Sequence, residues 1–167
     1  MNKKGFTLVE LLSVIVLLGL IMGIASYGVM RAGKKAKERT LLTKIKNIEK
    51  AAVLYGQDHK EKFKVVDEDE ATLESNPLCF DEAKLFISDC RYYKEFITVS
   101  TLLGTDANGN GPYINADDES NKILNPTDDK KNMNNCKIQI YEKYGKIYAV
   151  YERENIGPDD GNTKCWK

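Results

Sequence analysis

Hydrophobic residues dominate the start of the chain and form one stretch from Phe6 to Met30. A basic segment, residues 1–5, precedes this stretch, and Glu10 is the one charged residue within it. Roughly 25 residues of α-helix measure about 37 Å, which exceeds the hydrocarbon core of a bilayer at about 30 Å. The pattern therefore predicts a transmembrane helix over residues 6–30.

The hydrophobic pattern changes after Met30 from continuous to periodic. Apolar residues then recur three or four positions apart, with lysines between them, at Leu41, Ile45, Ile48, Ala52 and Tyr55. No proline occurs before Pro77, so one helix can run from about residue 7 and end near Gly56. Residues 31–56 are thus predicted to be the amphipathic second half of one long helix, followed by a globular domain over residues 57–167.

Two late segments alternate between apolar and polar residues, as strands with one buried face do. They cover residues 136–141 and 147–152, and the glycine-bearing segment 142–146 between them predicts a β-hairpin. We expect Ile138 and Ile140 to face the apolar stripe of the long helix. The predicted fold class is α+β, with a long N-terminal helix packed on a small antiparallel β-sheet.

Shorter elements are predicted between the long helix and the hairpin. The acidic run at residues 67–70 is interpreted as a solvated loop. Asp81 to Lys94 is predicted to form a short helix with Asp81 as its N-cap, and Phe96 to Leu103 a helical turn that ends before Gly104.

Glu10 carries the first functional hypothesis. A carboxylate inside a membrane segment is costly unless it is paired, so such a residue is by default functional. Cleavage after Gly5 would create a partner, because it leaves an α-amino group on Phe6, four residues before Glu10. The residues here, Lys-Gly-Phe-Thr-Leu-Val-Glu-Leu-Leu, resemble the class III signal of type IV pilins and pseudopilins.

This resemblance implies a processing site and an assembly residue. In that family the prepilin peptidase cleaves after the glycine, here Gly5, and N-methylates the new terminal residue, here Phe6. The family glutamate, matched by Glu10, pairs with the terminal amine of a neighbouring subunit during assembly. Gly19 and Gly23 also form a small-xxx-small motif, which either lets two membrane helices approach closely or reflects the general frequency of glycine in such helices.

The resemblance also implies a fold, a function and partners. Its fold, a long helix laid on an antiparallel sheet, agrees with the pattern described above. The implied function is that of a structural subunit of a type IV pilus. The expected partners are identical or related subunits, the prepilin peptidase, an assembly ATPase with a platform protein, and the membrane. The subunit is expected in the cytoplasmic membrane, with its N-terminus inside and its domain outside, and then in a surface filament.

Other interpretations of the chain remain open at this stage. Within the same family, the chain could be a minor pilin, or a pseudopilin of a type II secretion or DNA-uptake system. From another class, a signal-anchored extracellular binding domain fits the apolar segment but leaves Glu10 without a partner. A cleaved secretory signal fits less well, because its apolar region is shorter and Ala25-Ser26-Tyr27 is a poor cleavage site.

Basic residues after the apolar segment oppose the implied topology. Arg31, Lys34, Lys35, Lys37 and Arg39 follow it, whereas only Lys3, Lys4 and the amino terminus precede it. The positive-inside rule alone favours a cytoplasmic C-terminal domain. The leader motif and the cysteines indicate the opposite orientation, and we give them priority.

Four cysteines, all beyond the membrane segment, indicate up to two disulfides in an exported domain. None is spaced as CxxC, which weakens a zinc or thioredoxin-like interpretation. Of the three possible pairings we favour Cys79–Cys90 and Cys136–Cys165. The second pair resembles the C-terminal disulfide loop of many pilins, and buried free thiols are the alternative.

Residues 106–117 fit the D-x-N-x-N-G-x5-D pattern of a calcium loop, with candidate ligands at Asp106, Asn108, Asn110 and Asp117. The last position is aspartate rather than a bidentate glutamate, and no clear helix follows. Major pseudopilins are similar in holding calcium in a C-terminal loop. The alternative is an Asn/Gly-rich surface turn, so calcium is a possible rather than a required cofactor.

No catalytic set is visible, so we expect the protein not to be an enzyme. His59 is the one histidine, and its Lys/Glu-rich surroundings predict that it is exposed. The nine tyrosines are interpreted as sheet-face packing rather than as a base-stacking platform. Acidic and basic residues both number 25, which argues against a general nucleic-acid binder, and no direct nucleic-acid site is evident.

Overall fold

A computed structural model describes residues 7–66, 77–87, 89–93, 96–105, 107–153 and 163–166. The first helix, α1, extends over Leu8–Asp58, as the sequence predicts to within a few residues. The chain divides into two compact units, residues 1–39 and 40–167, and the boundary lies within α1.

The first unit consists, in its described part, of the N-terminal portion of α1. Every large apolar side chain from Leu8 to Met22 is 48–81% exposed, on all sides of the helix. The most apolar 18-residue window of α1 has a mean hydropathy of 2.6, and none of that window is buried. By length and composition, α1 is therefore able to cross a membrane.

The second unit contains a five-stranded antiparallel sheet and a separate two-stranded one. The large sheet is formed by β1 (Phe63–Val65), β2 (Arg91–Tyr93), β3 (Ile97–Thr98), β6 (Lys137–Lys143) and β7 (Lys146–Tyr151). The small sheet pairs β4 (Leu124–Asn125) with β5 (Asp128–Asn132), and a short helix, α2, covers Val99–Leu103. One-turn 3₁₀ helices occur at Lys60–Lys62 and Pro77–Cys79. The fold is thus α+β and pilin-like.

The predicted hairpin is confirmed, with a tighter turn than expected. β6 and β7 pair from Lys143↔Lys146 to Ile138↔Tyr151, which leaves a two-residue connection. Tyr144 and Gly145 both have positive φ, 52° and 68°. Two such residues give a turn whose twist matches that of the flanking strands, so the strands can continue up to it.

The apolar stripe of α1 packs on β6, as predicted. Ile45, Ile48 and Ala52 share one buried cluster with Ile138 and Ile140, and each is at most 1% exposed.

Close approach of helix and sheet depends on Gly56. A Cβ atom added there would lie 2.9 Å from Ile140 Cγ2 and 3.1 Å from Ile147 Cγ2. The absence of a side chain at Gly56 therefore lets the end of α1 lie against β6 and β7.

The helix predicted from Asp81 to Lys94 is wrong over its described residues. Asp81 does accept a hydrogen bond from the Leu85 N–H, but Lys84 then takes φ 61° and the chain turns back. Phe80 forms an antiparallel bridge with Phe86. The segment belongs to a small cluster around the Cys79–Cys90 disulfide, which buries Ile87 and holds the chain in a loop.

The expected exposure of His59 is also wrong. Its side chain is 4% exposed and stacks on Tyr55, with ring centroids 4.1 Å apart. Nδ1 lies 2.8 Å from the Tyr55 carbonyl oxygen and donates to it. The turn that ends α1 folds this ring back over the last helical turn, which the local charge pattern does not reveal.

A buried amide holds the C-terminal tail in place. Asn125 is fully buried, and its Nδ2 donates to the carbonyl oxygens of Lys164, at 2.8 Å, and Trp166, at 3.1 Å. Its Oδ1 accepts from the N–H and the hydroxyl of Thr127. Close by in the sequence, Cys165 accepts a hydrogen bond from the Tyr151 hydroxyl through its carbonyl oxygen, and burial raises the pKa of Tyr151.

Candidate assembly site on the N-terminal helix

Glu10 lies in the first turn of α1 and closes a capping box with Thr7. Glu10 Oε2 accepts hydrogen bonds from the Thr7 N–H, at 2.9 Å, and from the Thr7 hydroxyl, at 2.8 Å. The Thr7 hydroxyl oxygen in turn accepts from the Glu10 N–H at 3.3 Å. This reciprocal arrangement satisfies N–H groups that the start of a helix otherwise leaves without partners.

The sequence analysis missed this cap, although its signal is present. Thr7-Leu8-Val9-Glu10 has the S/T-x-x-E spacing that marks a capping box before an apolar run. The structure shows that Glu10 accepts hydrogen bonds from Thr7 at the start of its own helix, in addition to any partner outside it.

The next polar side chain in the apolar segment is also satisfied locally. The Ser13 hydroxyl lies 2.8 Å from the Val9 carbonyl oxygen and 3.0 Å from that of Glu10. A hydroxyl bonded back to its own helix can enter hydrocarbon without an unsatisfied donor. Among the described side chains at positions 8–22, the carboxylate of Glu10 is therefore the group that still carries a charge.

The structure places the other predicted helix residues as follows. Gly19 and Gly23 lie one turn apart in α1, and a Cβ added at either would meet no atom within 4 Å. Their surface is open, as close helix packing requires, but their packing role stays a prediction. Gly5 and Phe6, the predicted cleavage and methylation residues, lie outside the described residues.

Two disulfides join the pairs that we favoured from the sequence. The bonds Cys79–Cys90 and Cys136–Cys165 each have Cα atoms 5.5 Å apart, and no described cysteine is free. The first closes the loop around Ile87. The second connects the start of β6 to the C-terminal tail and lies in the main core.

The predicted calcium loop is only partly described, since Asp106 lies outside the described residues. Asp117 has other partners: Oδ2 accepts from Lys44 Nζ, at 2.5 Å, and from the Leu124 N–H, at 2.7 Å. The searched part of the chain contains no group of three acidic, histidine or cysteine side chains suited to a metal. Calcium binding stays a prediction, and a calcium ion held by Asp117 would lie close to the Lys44 ammonium.

The tyrosines of the large sheet pack on one another. Tyr92, Tyr141 and Tyr148 lie on neighbouring strands, with ring centroids 6.0 and 5.3 Å apart and nearly parallel rings. Burial raises the pKa of Tyr92 and of Tyr141. Because each ring covers the face of its neighbour, the arrangement agrees with sheet-face packing.

Comparison with known proteins identifies the N-terminal segment. Residues 1–26 match the prokaryotic N-terminal methylation motif, which supports a class III prepilin signal peptide. The motif supports a type IV pilin-like or pseudopilin precursor, and the motif and the apolar helix fit a membrane-anchored pilin. No curated protein and no solved structure matches the chain significantly.

Proposed function

We propose that this protein is a structural subunit of a type IV pilus filament and not an enzyme. The observation that supports this most is the match to the methylation motif at residues 1–26. In our proposal the cleavage point lies between Gly5 and Phe6, which places the new amine four residues before Glu10. Prepilin peptidase removes residues 1–5 and methylates Phe6. The free end of the mature helix then carries a positive amine close to the one acid of the apolar segment.

Assembly exchanges one apolar environment for another. The exposed side chains from Leu8 to Met22 hold the waiting subunit in lipid. An assembly ATPase acts through a platform protein to lift the subunit out, and neighbouring helices replace the lipid around it. Gly19 and Gly23 allow those helices to approach closely, so van der Waals contacts compensate for the lost lipid contacts.

Glu10 selects the position of the incoming subunit through its carboxylate. Both hydrogen bonds of the capping box end on Oε2. The ammonium of a neighbour's methylated Phe6 can therefore bond to Oε1 without breaking the cap. A register that leaves this amine unpaired in a low-dielectric bundle is disfavoured, because an isolated buried charge is costly.

Mass spectrometry of the mature N-terminus tests the processing step. We expect a chain that begins at Phe6 and carries one N-methyl group. An intact Met1 on protein from the producing cells would refute the proposal, and the signal-anchored binding domain would then take its place. Electron microscopy of filament length then separates a pilus subunit from a pseudopilin.

Three variants separate the charge of Glu10 from its capping role. Glu10→Gln keeps a side chain that can close the capping box but removes the charge. Glu10→Ala removes both, and Thr7→Ala removes the cap hydroxyl but keeps the carboxylate. We expect filament yield to fall sharply in both Glu10 variants and to be largely kept in Thr7→Ala, with cleavage intact in all three. Normal filaments from Glu10→Gln would refute charge pairing.

A further inference from the structure

A dense group of cations follows the apolar segment of α1, and we call it the basic collar. All five members are exposed in the structure: Arg31, Lys34, Lys35, Lys37 and Arg39. Between positions 31 and 39 they are accompanied by one acid, Glu38, so this part of the helix has a formal charge of +4. The chain as a whole has a formal charge of zero, so the collar is a local feature.

Helix geometry concentrates the collar on one side. At about 100° per residue, Arg31, Lys34, Lys35 and Arg39 fall within an arc of about 140°. Glu38 lies within the same arc, and Lys37 lies about 60° outside it. The long aliphatic stems of these side chains can lie along apolar surface while their charged ends reach water. The collar therefore presents most of its cations to one neighbouring surface.

The depth of the collar matches that of lipid headgroups. Met30, the last residue of the apolar stretch, is 75% exposed, and Arg31 follows at once. From Arg31 to Arg39 the helix rises about 12 Å. The polar layer on each side of the hydrocarbon core is about 5–8 Å thick, and charges act over about 8 Å beyond it at physiological salt. All five cations thus lie within reach of headgroup phosphates.

We propose that the basic collar binds the phosphate groups of anionic lipids at the membrane face where α1 leaves the hydrocarbon core. This inference rests on the membrane-stored subunit of the proposed function. Guanidinium and ammonium groups at a membrane surface attract anionic lipid, and arginine can hold a phosphate through two hydrogen bonds. A lipid ligand is favoured over nucleic acid, because the collar adjoins the apolar span and the rest of the chain offsets its charge.

These contacts would add an electrostatic contribution to the membrane anchoring of the unassembled subunit, and we call this contribution the latch. Headgroup contacts fix the depth of α1 in the bilayer and are lost when the subunit is lifted out. Assembly must therefore break these contacts in addition to withdrawing apolar surface. The latch weakens at high salt, because screening shortens the range of the attraction from about 10 Å at 0.1 M to about 3 Å at 1 M.

The test uses the full chain reconstituted in phosphatidylcholine bilayers that contain a trace of spin-labelled lipid. The measured quantity is the association of labelled phosphatidylglycerol relative to labelled phosphatidylcholine. The test variant is K34Q/K35Q/K37Q, in which glutamine preserves helix propensity. The matched control removes three exposed lysines of the folded domain and has the same net charge: K60Q/K130Q/K146Q.

We expect the unmodified protein to prefer phosphatidylglycerol, and this preference to fall several-fold in K34Q/K35Q/K37Q, because an anionic membrane surface attracts juxtamembrane lysines. The control variant should behave like the unmodified protein, and 1 M salt should reduce the preference in both. Absence of a preference, equal losses in the two variants, or no loss in K34Q/K35Q/K37Q would overturn the proposal.

Competition distinguishes the source of the phosphate. Soluble glycerol phosphate or a short DNA duplex should leave the lipid preference unchanged at physiological salt. Displacement by glycerol phosphate would indicate a free-phosphate site, and displacement by DNA a nucleic-acid site, and either would overturn the choice of a membrane ligand. An uncleaved Met1 would refute the pilin proposal alone, since the lipid measurement does not depend on processing.

Discussion

Asn125 offers the sharpest test of how the domain holds its C-terminal tail. Its buried side chain donates to the carbonyl oxygens of Lys164 and Trp166 and accepts two hydrogen bonds from Thr127. Asn125→Ala removes all four bonds, so two carbonyls, one N–H and one hydroxyl lose these partners. A buried group that loses its partner costs about 1–3 kcal/mol, and Thr127 is partly open to water. We therefore expect the free energy of unfolding to fall by about 3 kcal/mol.

Asn125→Asp sharpens the prediction through its pH dependence. The Oδ1 acceptor for Thr127 is kept, but an oxygen now faces two carbonyl oxygens in a buried site. Burial and these carbonyls raise the pKa of the new carboxyl above its unfolded value of about 3.9. The protonated form is thus favoured in the folded protein. The variant should be less stable than Asn125→Ala at pH 7 and should recover relative to the unmodified protein as the pH falls through the raised pKa.

The assay is urea unfolding of the full chain in a non-ionic detergent, followed by tryptophan fluorescence. Trp166 is the one tryptophan of the chain and lies in the tail that Asn125 holds. Asn47→Ala, at an exposed position of α1, is the matched control and should change the free energy of unfolding by less than about 0.7 kcal/mol. A loss below about 1 kcal/mol for Asn125→Ala, or no recovery of Asn125→Asp at low pH, would contradict the reasoning.

Two further predictions concern the packing of α1 on the domain. Gly56→Ala gains helix propensity of about 1 kcal/mol, but its Cβ would press on Ile140 Cγ2, and overpacking costs about 1–3 kcal/mol. We expect the free energy of unfolding, measured in urea, to fall by about 1 kcal/mol. An increase would contradict the predicted overpacking and show that α1 can shift away from Ile140. Lys44→Met removes the bonds that Lys44 Nζ donates to Asp117 Oδ2 and to the Leu124 carbonyl oxygen while keeping the apolar stem, so we expect the free energy of unfolding to fall by about 1 kcal/mol. Lys46→Met, at an exposed position of α1, is the control and should lower the free energy of unfolding by less. Equal losses in the two variants would refute a role for the Lys44–Asp117 ion pair.

Much of the architecture could be predicted from periodicity alone. The apolar stretch, the stripe of α1 and the β6–β7 hairpin each repeat a pattern over many residues, and their positions agree with the structure to within a few residues. Long repeats are reliable because each residue adds to the same periodic signal. The short strands β1, β2 and β3 have two or three residues each, too few for a period, and they exist through their partners on neighbouring strands.

The two wrong predictions, a helix after Asp81 and an exposed His59, share a physical cause. Asp81 has the local chemistry of an N-cap, yet the disulfide and Ile87 draw the following residues into a small cluster instead of a helix. His59 has polar neighbours in the sequence, yet the turn after α1 stacks it on Tyr55. In both cases a contact that forms only on folding outweighs a weak local preference.

The sequence by itself determined the part of the functional hypothesis that concerns the N-terminal segment. The leader, the apolar segment and Glu10 are contiguous, so their chemistry can be read without knowing the fold. Tertiary structure decided which groups Asn125, Asp117 and His59 contact, because their partners lie far along the chain or across a turn. It also revealed that Glu10 caps its own helix through Oε2, which depends on the rotamers of two side chains and not on their order in the sequence.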